Sequence, residues 1–96
     1  MYLRIVHWQM QPGKADELAG RWNEEIAPGI HDMGPLKHLY VGADPERNTV
    51  AVVSMWESRP RVEDLDRWTD VFAGRLADIV SSSPRVEHYD VLVDVS

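Results

Sequence analysis

Histidine and tyrosine side chains in this sequence are suited to proton transfer. His7, His38 and His88 fall in strand-like segments, Tyr40 follows His38 two positions later, and His31 falls in a segment typical of a solvated loop. Histidine titrates near neutral pH, so each ring can accept the proton of a phenol. Residues two apart on a strand share one face about 7 Å apart, so one ligand can contact both His38 and Tyr40. A structural or exposed role is the alternative for each.

Aromatic side chains recur with helical spacing in two other segments, residues 14–27 and residues 60–80. Trp22 lies on the apolar stripe of the first segment, with Asn23 at its edge. Trp68 and Phe72 lie one turn apart on the stripe of the second. Such stripes are typical of residues that pack in a core. Asn23 either donates a hydrogen bond to a substrate oxygen or faces solvent.

The composition excludes several kinds of chemistry. The 96 residues include no cysteine, which excludes disulfides, thiolate catalysis and cysteine-bound zinc or iron–sulfur centres. There is no HExxH-type spacing and no nucleotide-binding glycine loop, and a site at His7 and His88 would lack a third metal ligand. We therefore expect no metal and no bound cofactor.

Charge and hydropathy limit the partners. A net charge of −6 disfavours nucleic acid, whose phosphates are bound by lysine and arginine, and it disfavours anionic membrane surfaces. No apolar run approaches the roughly 20 residues of a membrane helix, and a strand-like segment begins too early for a signal peptide. We expect one soluble domain, residues 1–96, in the cytoplasm.

The residue pattern predicts six elements that would position these side chains. Strands are predicted at Tyr2 to Met10, Leu36 to Val41, Asn48 to Ser58 and Arg85 to Val95, and helices at Lys14 to Ala27 and Pro60 to Val80. The order β-α-β-β-α-β, with right-handed crossovers, predicts a ferredoxin-like α+β fold. In that fold two helices cover one face of a four-stranded antiparallel sheet, and strands one and three are central.

The third strand is apolar on both faces, although the helices cover only one. Val50 and Val52 lie on one face. The other face carries Ala51, Val53 and Met55. Soluble monomers avoid large exposed apolar patches, and the simplest cover is a second copy of the chain. We therefore expect a homodimer that forms through the open face of the sheet.

Short motifs follow one another along nearly the whole chain. They are Gln11-Pro12-Gly13-Lys14, Trp22, Ile26-Ala27-Pro28-Gly29-Ile30, Gly34, Val50 to Val53, Trp56-Glu57-Ser58, Trp68, Asp70-Val71-Phe72 and Val86 to Tyr89. In this order they resemble the antibiotic-biosynthesis-monooxygenase family of dimeric α+β barrel proteins.

The resemblance implies a homodimer with a ligand cavity in each subunit, between the sheet and its helices, and aromatic groups on the cavity wall. Some members oxidise polycyclic phenols to quinones with molecular oxygen and no cofactor, because a deprotonated electron-rich substrate can itself reduce oxygen. The expected function is therefore a cofactor-independent monooxygenase that acts on a small aromatic or polyketide-like molecule. The candidate catalytic residues are His38, Tyr40 and His7. The candidate substrate-binding residues are Trp68, Phe72, Trp22 and Asn23.

Some questions stay open at the level of sequence. His7 lies on the opposite strand face from Val6 and Trp8, so only one of these sets faces the cavity. The haem-degrading branch of the family uses a helix-two histidine where this chain has Ala73 to Ala77, and a strand-one asparagine that is also replaced, which argues against haem. Cyclisation or isomerisation in the same cavity and non-catalytic ligand binding remain the alternative functions.

Overall fold

The computed structural model describes residues 1–30, 34–80 and 83–95; the predicted loop around His31 lies outside them. The elements are β1 (Tyr2–Gln9), α1 (Ala15–Arg21), a π-helical turn (Trp22–Ile26), α2 (Ala27–Ile30), β2 (Leu36–Asp44), β3 (Thr49–Trp56), α3 (Val62–Arg75) and β4 (Arg85–Asp90). The first predicted helix is thus built from three consecutive pieces.

The four strands form one antiparallel sheet in the order β2-β3-β1-β4. In its centre Val6 pairs with Val52 and Trp8 with Val50. These residues are buried, whereas the intervening residues of β1 and β3 are mostly half-buried. The predicted ferredoxin-like α+β fold, with β1 and β3 in the middle of the sheet, is confirmed.

The core lies between the sheet and the helices. Val6, Val52 and Trp8 pack with Trp22 and Ile79 in its larger buried cluster. A smaller cluster, near the other end of the strands, contains Tyr2, Trp56 and Leu65. We call this side of the sheet the covered face, and we call the opposite side the open face.

The first helix continues beyond its predicted end. Pro28-Gly29 was expected to end or kink it after Ala27, but both residues lie inside α2, which ends at Ile30. The helix is not interrupted at this point, because Ala27 has helical φ and ψ of −55° and −38° and the π-helical turn runs directly into α2. The π-helical turn immediately before α2 was not predicted.

The last helix and the last strand are shorter than predicted. After Arg75 the chain tightens into turns, in which Ile79 N–H donates to the Leu76 carbonyl at 2.8 Å. β4 ends at Asp90 because Asp90 pairs with Tyr2, the first residue of β1, so the chain beyond it has no strand beside it. Leu92 is consequently 92% exposed.

β2 is longer than predicted and contains an irregularity. It continues to Asp44 and joins β3 through a short turn, as expected for a hairpin. Leu36 pairs with Trp56 but His38 pairs with Met55, so Lys37 is an extra residue in the edge strand. Such a bulge bends the strand and interrupts its ladder of hydrogen bonds.

Candidate functional site

A small cavity lies on the covered face beneath α3. Its volume is about 30 Å³, which is enough for one water molecule or one small substituent. The residues that define its chemistry are Arg4, Ser54, Trp56, Trp68, Thr69 and Phe72. We call it the inner cavity.

Arg4 brings a positive charge into the inner cavity. Strand alternation places it on the covered face between Tyr2 and Val6, and it is only 6% exposed. Its Nη2 donates a hydrogen bond to Thr69 Oγ1 at 3.2 Å and lies 3.6 Å from Asp66 Oδ1. The Asp66 side chain is 66% exposed, so solvent screens its charge from the guanidinium.

Hydrogen bonds fix the other polar groups of the cavity. The Thr69 hydroxyl donates to the Leu65 carbonyl at 2.9 Å. Trp56 Nε1 donates to Ser54 Oγ at 3.0 Å, and that hydroxyl donates to the Arg4 carbonyl at 3.4 Å. Both hydroxyl groups already donate their protons to backbone carbonyls, so neither can donate to a ligand. The Arg4 guanidinium is the charged donor of the cavity.

Aromatic rings form the wall of the inner cavity. Trp56 and Trp68 stack with ring centroids 5.2 Å apart and planes inclined by 5°. Phe72 contacts Trp22 at 5.2 Å between centroids. Trp68 and Phe72 also line a neighbouring cleft of about 200 Å³, together with the apolar residues Ile26, Gly29, Ile30 and Val71 and the charged residues Glu25 and Arg75. We call this the outer cleft; the two aromatic residues stand between it and the inner cavity.

The remaining predicted substrate-binding residues lie in a third space. Trp22 and Asn23 line a cleft of about 350 Å³ between the first helix and β2, with Leu18 and Val41 among its other walls. Trp22 is buried and Asn23 is exposed at the edge of the helix. Phe72 links the two groups because its ring touches Trp22 and also lines the inner cavity.

The predicted catalytic residues lie on the open face instead. His38 pairs with Met55, Tyr40 with Val53 and His7 with Ala51, all positions on the open face by strand alternation. His38, at the edge of the sheet, also lines a cleft of about 360 Å³ together with Ala27 and Ile30 of α2. The rings of His38 and Tyr40 stack at 6.3 Å, and Tyr40 is 61% exposed. Because alternate strand residues face opposite sides, the chain does not bring these groups to the inner cavity.

His7 belongs to a polar group on the open face that also contains Glu87, Tyr89 and Arg85. His7 Nε2 lies 2.9 Å from Glu87 Oε1, and Tyr89 O–H donates to Glu87 Oε2 at 2.7 Å. Arg85 Nη2 lies 3.4 Å from Glu87 Oε1. The tyrosine hydrogen bond, followed by the contact with His7, lowers the pKa of Glu87, and the carboxylate in turn raises the pKa of Tyr89. We call this group the Glu87 cluster.

Sequence reasoning missed the polar groups of the inner cavity. Arg4, Ser54 and Thr69 were not identified as candidates, although strand alternation placed Arg4 on one face with Tyr2, Val6 and Trp8. A charged residue among large apolar neighbours was the available signal. Among the residues described, no three His, Cys, Asp or Glu side chains are arranged to hold a metal ion. No described helix has the length and apolar character needed to cross a membrane.

A four-stranded antiparallel sheet with helices on one face and clefts beneath them defines a ferredoxin-like α+β protein. No family model matches the sequence, and no curated protein matches it either. Solved structures do match, over nearly the whole chain.

A Bordetella bronchiseptica protein described as an antibiotic biosynthesis monooxygenase has a TM-score of 0.75 and 14% identity, over 96% of this chain and 97% of its own. A monooxygenase from the Streptomyces coelicolor gene ActVA-Orf6, solved with nanaomycin D, has a TM-score of 0.76 and 14% identity, over 99% and 90%. A NIPSNAP domain protein from Burkholderia xenovorans has a TM-score of 0.69 and 13% identity, over 100% and 99%. The TM-scores show a shared fold, and identities this low carry the comparison no further than the fold. At that level the matches support the family resemblance seen in the sequence.

Proposed function

We propose that the protein is a cofactor-independent monooxygenase that oxidises a small aromatic or polyketide-like molecule on the covered face of the sheet. The observation that carries this proposal is the aromatic wall of Trp68 and Phe72, which stands between a buried polar cavity and a cleft large enough for a ring system. The fold shared with monooxygenases, one of them solved with nanaomycin D, supports it.

The chemistry needs little from the protein. When a phenol is oxidised to a quinone, one atom of O₂ enters the ring, the other leaves as water, and the substrate supplies all the electrons. The protein has to hold the ring, favour its anion and limit access of water to the reacting carbon. Trp68, Phe72 and Trp22 can provide apolar walls for this purpose, and Asn23 can provide a polar contact at the adjoining cleft.

We assign His38, Tyr40 and His7 no contact with a substrate held in the inner cavity, because they lie across the sheet from it. A role for them requires a second site, either on the open face or in the cleft that His38 lines with Ala27 and Ile30 at the edge of β2. Trp68→Ala and His38→Ala are therefore a matched pair of variants that separates the two faces.

Oxygen consumption with 1,5-dihydroxynaphthalene as the probe tests the proposal. We expect O₂ uptake with stoichiometric formation of the hydroxynaphthoquinone, abolished or strongly reduced in Trp68→Ala and unchanged in His38→Ala. Loss of turnover in His38→Ala alone would move the site to the open face. Product formation without oxygen would favour cyclisation or isomerisation, and saturable binding without any product would favour a binding module.

We also propose that the protein forms a homodimer through its open face. The half-buried residues Leu3, Ile5, Val53 and Met55 form an apolar centre there that no other described element covers. The Glu87 cluster lies beside this centre, and its charged groups are already paired within the chain, so a second copy could pack against it without leaving a charge unpaired.

A further inference from the structure

Resting on the proposed function, we infer that Arg4 selects the substrate of this site. The substrate class is a flat aromatic molecule with one ionised ring oxygen, a phenolate or an enolate. The ionised oxygen occupies the inner cavity against the Arg4 guanidinium, and the ring lies in the outer cleft.

The first argument is the incomplete compensation of the buried charge. A charge removed from water is costly unless it is well paired and hydrogen-bonded. The partners of Arg4 are the neutral hydroxyl of Thr69 and the carboxylate of Asp66, 3.6 Å away and mostly in solvent. Joining β1 to α3 would not require a cation, since apolar side chains of similar size could pack there. An anionic ligand would supply the close negative charge that the chain does not.

The second argument is an unpaired donor in the same cavity. Trp8 lines the inner cavity and is 3% exposed, and its Nε1 has no hydrogen-bond partner among the described residues. Buried donors without a partner are uncommon in folded proteins. A cavity that combines a guanidinium with an unpaired indole N–H is rich in donors, and it therefore favours an oxygen-bearing ligand.

The third argument is the size of the two spaces. The inner cavity, at about 30 Å³, admits one oxygen substituent but no ring, whereas the outer cleft, at about 200 Å³, is large enough to admit much of a bicyclic ring system. Trp68 and Phe72 line both spaces, so a ligand with its oxygen in one and its ring in the other lies against both side chains. A single oxygen at the edge of a flat molecule fits this division.

The charge of this oxygen matters for the reaction. Arg4 stabilises the deprotonated form of the ligand, whose O–H proton leaves to solvent, and the anion has the electron density needed to reduce O₂. One oxygen atom of O₂ then bonds to a ring carbon and the other is released as water, with all electrons drawn from the ring. Arg4 thus couples recognition to activation of the same group.

Ligand binding, measured by quenching of tryptophan fluorescence, tests this assignment without turnover. The probes are 2-hydroxy-1,4-naphthoquinone, which is an anion at neutral pH, the neutral 2-amino-1,4-naphthoquinone, whose substituent has the same size, and 2-naphthoate. We expect the wild type to bind the hydroxyquinone about 10- to 100-fold more tightly than the aminoquinone, the range expected for one charged hydrogen bond. 2-Naphthoate should bind weakly, because a carboxylate has two oxygens for a cavity sized for one.

Two variants separate a ligand-binding arginine from a structural one. Arg4→Met should reduce the preference for the anion to about one while the affinity for the aminoquinone stays unchanged, which also reports on folding. Asp66→Asn keeps the cation and removes its counter-charge, so it should increase the preference for the anion. A purely structural Arg4 predicts no change in preference from Asp66→Asn.

Several outcomes would overturn the inference. They are equal binding of the hydroxyquinone and the aminoquinone by the wild type, an anion preference that survives in Arg4→Met, and binding of 2-naphthoate as tight as that of the hydroxyquinone. Should Arg4→Met fail to fold, an unchanged or reduced preference in Asp66→Asn is decisive against it. Because no oxygen is consumed in these measurements, a failure of the proposed oxidation would leave the anion preference standing, and the reverse also holds.

Discussion

Val52 and Val53 are neighbours in β3 and have almost the same chemistry, yet they belong to different environments. Val52 lies 4% exposed beneath the helices, in the same core as Val6 and Trp22. Val53 lies on the open face, between Ile5 of β1 and Tyr40 of β2. The comparison shows that the same sheet has a buried core on one face and, on the other, an apolar surface that no described element covers.

The polar groups of the two faces differ in the same way. On the covered face the buried Arg4 has one hydrogen bond, which it donates to Thr69, and one ion pair, with the largely exposed Asp66 at 3.6 Å. On the open face the carboxylate of Glu87 is contacted by His7, Tyr89 and Arg85. The covered face is therefore suited to binding a charged small molecule, and the open face is suited to packing against another surface.

A charge introduced on either face should have the largest effect. Val52→Asp buries an unpaired carboxylate, which costs about 3–5 kcal/mol or more and is comparable with the stability of a small domain, so we expect an unfolded chain by circular dichroism. Val53→Asp should leave the fold intact but halve the mass measured by sedimentation. A Val53→Asp protein that stays dimeric at micromolar concentration would show that the open face is not the interface.

Met55 and Trp56 are also neighbours in β3 on opposite faces, and their alanine variants compare the packing of the two faces. Trp56 is fully buried on the covered face, so Trp56→Ala should lower the free energy of unfolding by about 3–5 kcal/mol at any protein concentration. Met55→Ala, on the open face, should cost less, and its cost should depend on protein concentration because dimerisation contributes to stability. Denaturant unfolding at two protein concentrations measures both; a cost for Met55→Ala that does not vary with concentration would argue against the dimer.

The smallest effect is a pH dependence that comes from the open face. The pKa of Glu87 is lowered in the folded protein, so its stabilising contribution is present above the unfolded value of about 4.3 and is lost as the pH falls through the folded value. The pKa of Tyr89 is raised, so its contribution is present below about pH 10 and is lost as the pH rises through the folded value.

Glu87→Gln should remove both dependences. Thermal unfolding of this variant and of the wild type, measured from pH 2 to 11, should converge at the two extremes of pH and differ between them. Glu46→Gln, in the hairpin turn and away from the cluster, is the matched control and should follow the wild type throughout. Parallel curves for Glu87→Gln and the wild type would show that the cluster does not contribute to stability.

The fold was predictable because its signals are local and repeated. Strand-type segments and two apolar helical stripes, in the order β-α-β-β-α-β, are enough to indicate a ferredoxin-like sheet. The ends of β4 and α3 were not predictable in the same way. Val91, Val93 and Val95 have strand-like composition, but β1 starts at Tyr2 and offers them no partner. The residue at which a strand ends depends on its pairing with a distant segment rather than on local sequence.

The candidate site was predictable only in part. Helical spacing identified Trp68 and Phe72, which do line the inner cavity. The alternation of β1 separated Arg4 from His7, but a sequence pattern does not say which strand face the helices cover. Histidine was chosen for its ability to titrate, and the buried arginine was overlooked because arginine on a strand is usually exposed. The structure supplies the burial that singles out Arg4, and a catalytic role for the histidines stays a prediction.

The two margins of the sheet bear on how the protein behaves when it is concentrated. In β2 the extra residue Lys37 interrupts the ladder and places a charged side chain on the edge. β4 has only six residues, and among them are Arg85, Glu87 and Asp90. Short, charged or bulged edges are poor templates for strand addition by another molecule. Both margins therefore discourage fibrous aggregation, while the flat side of the sheet stays free for face-to-face association.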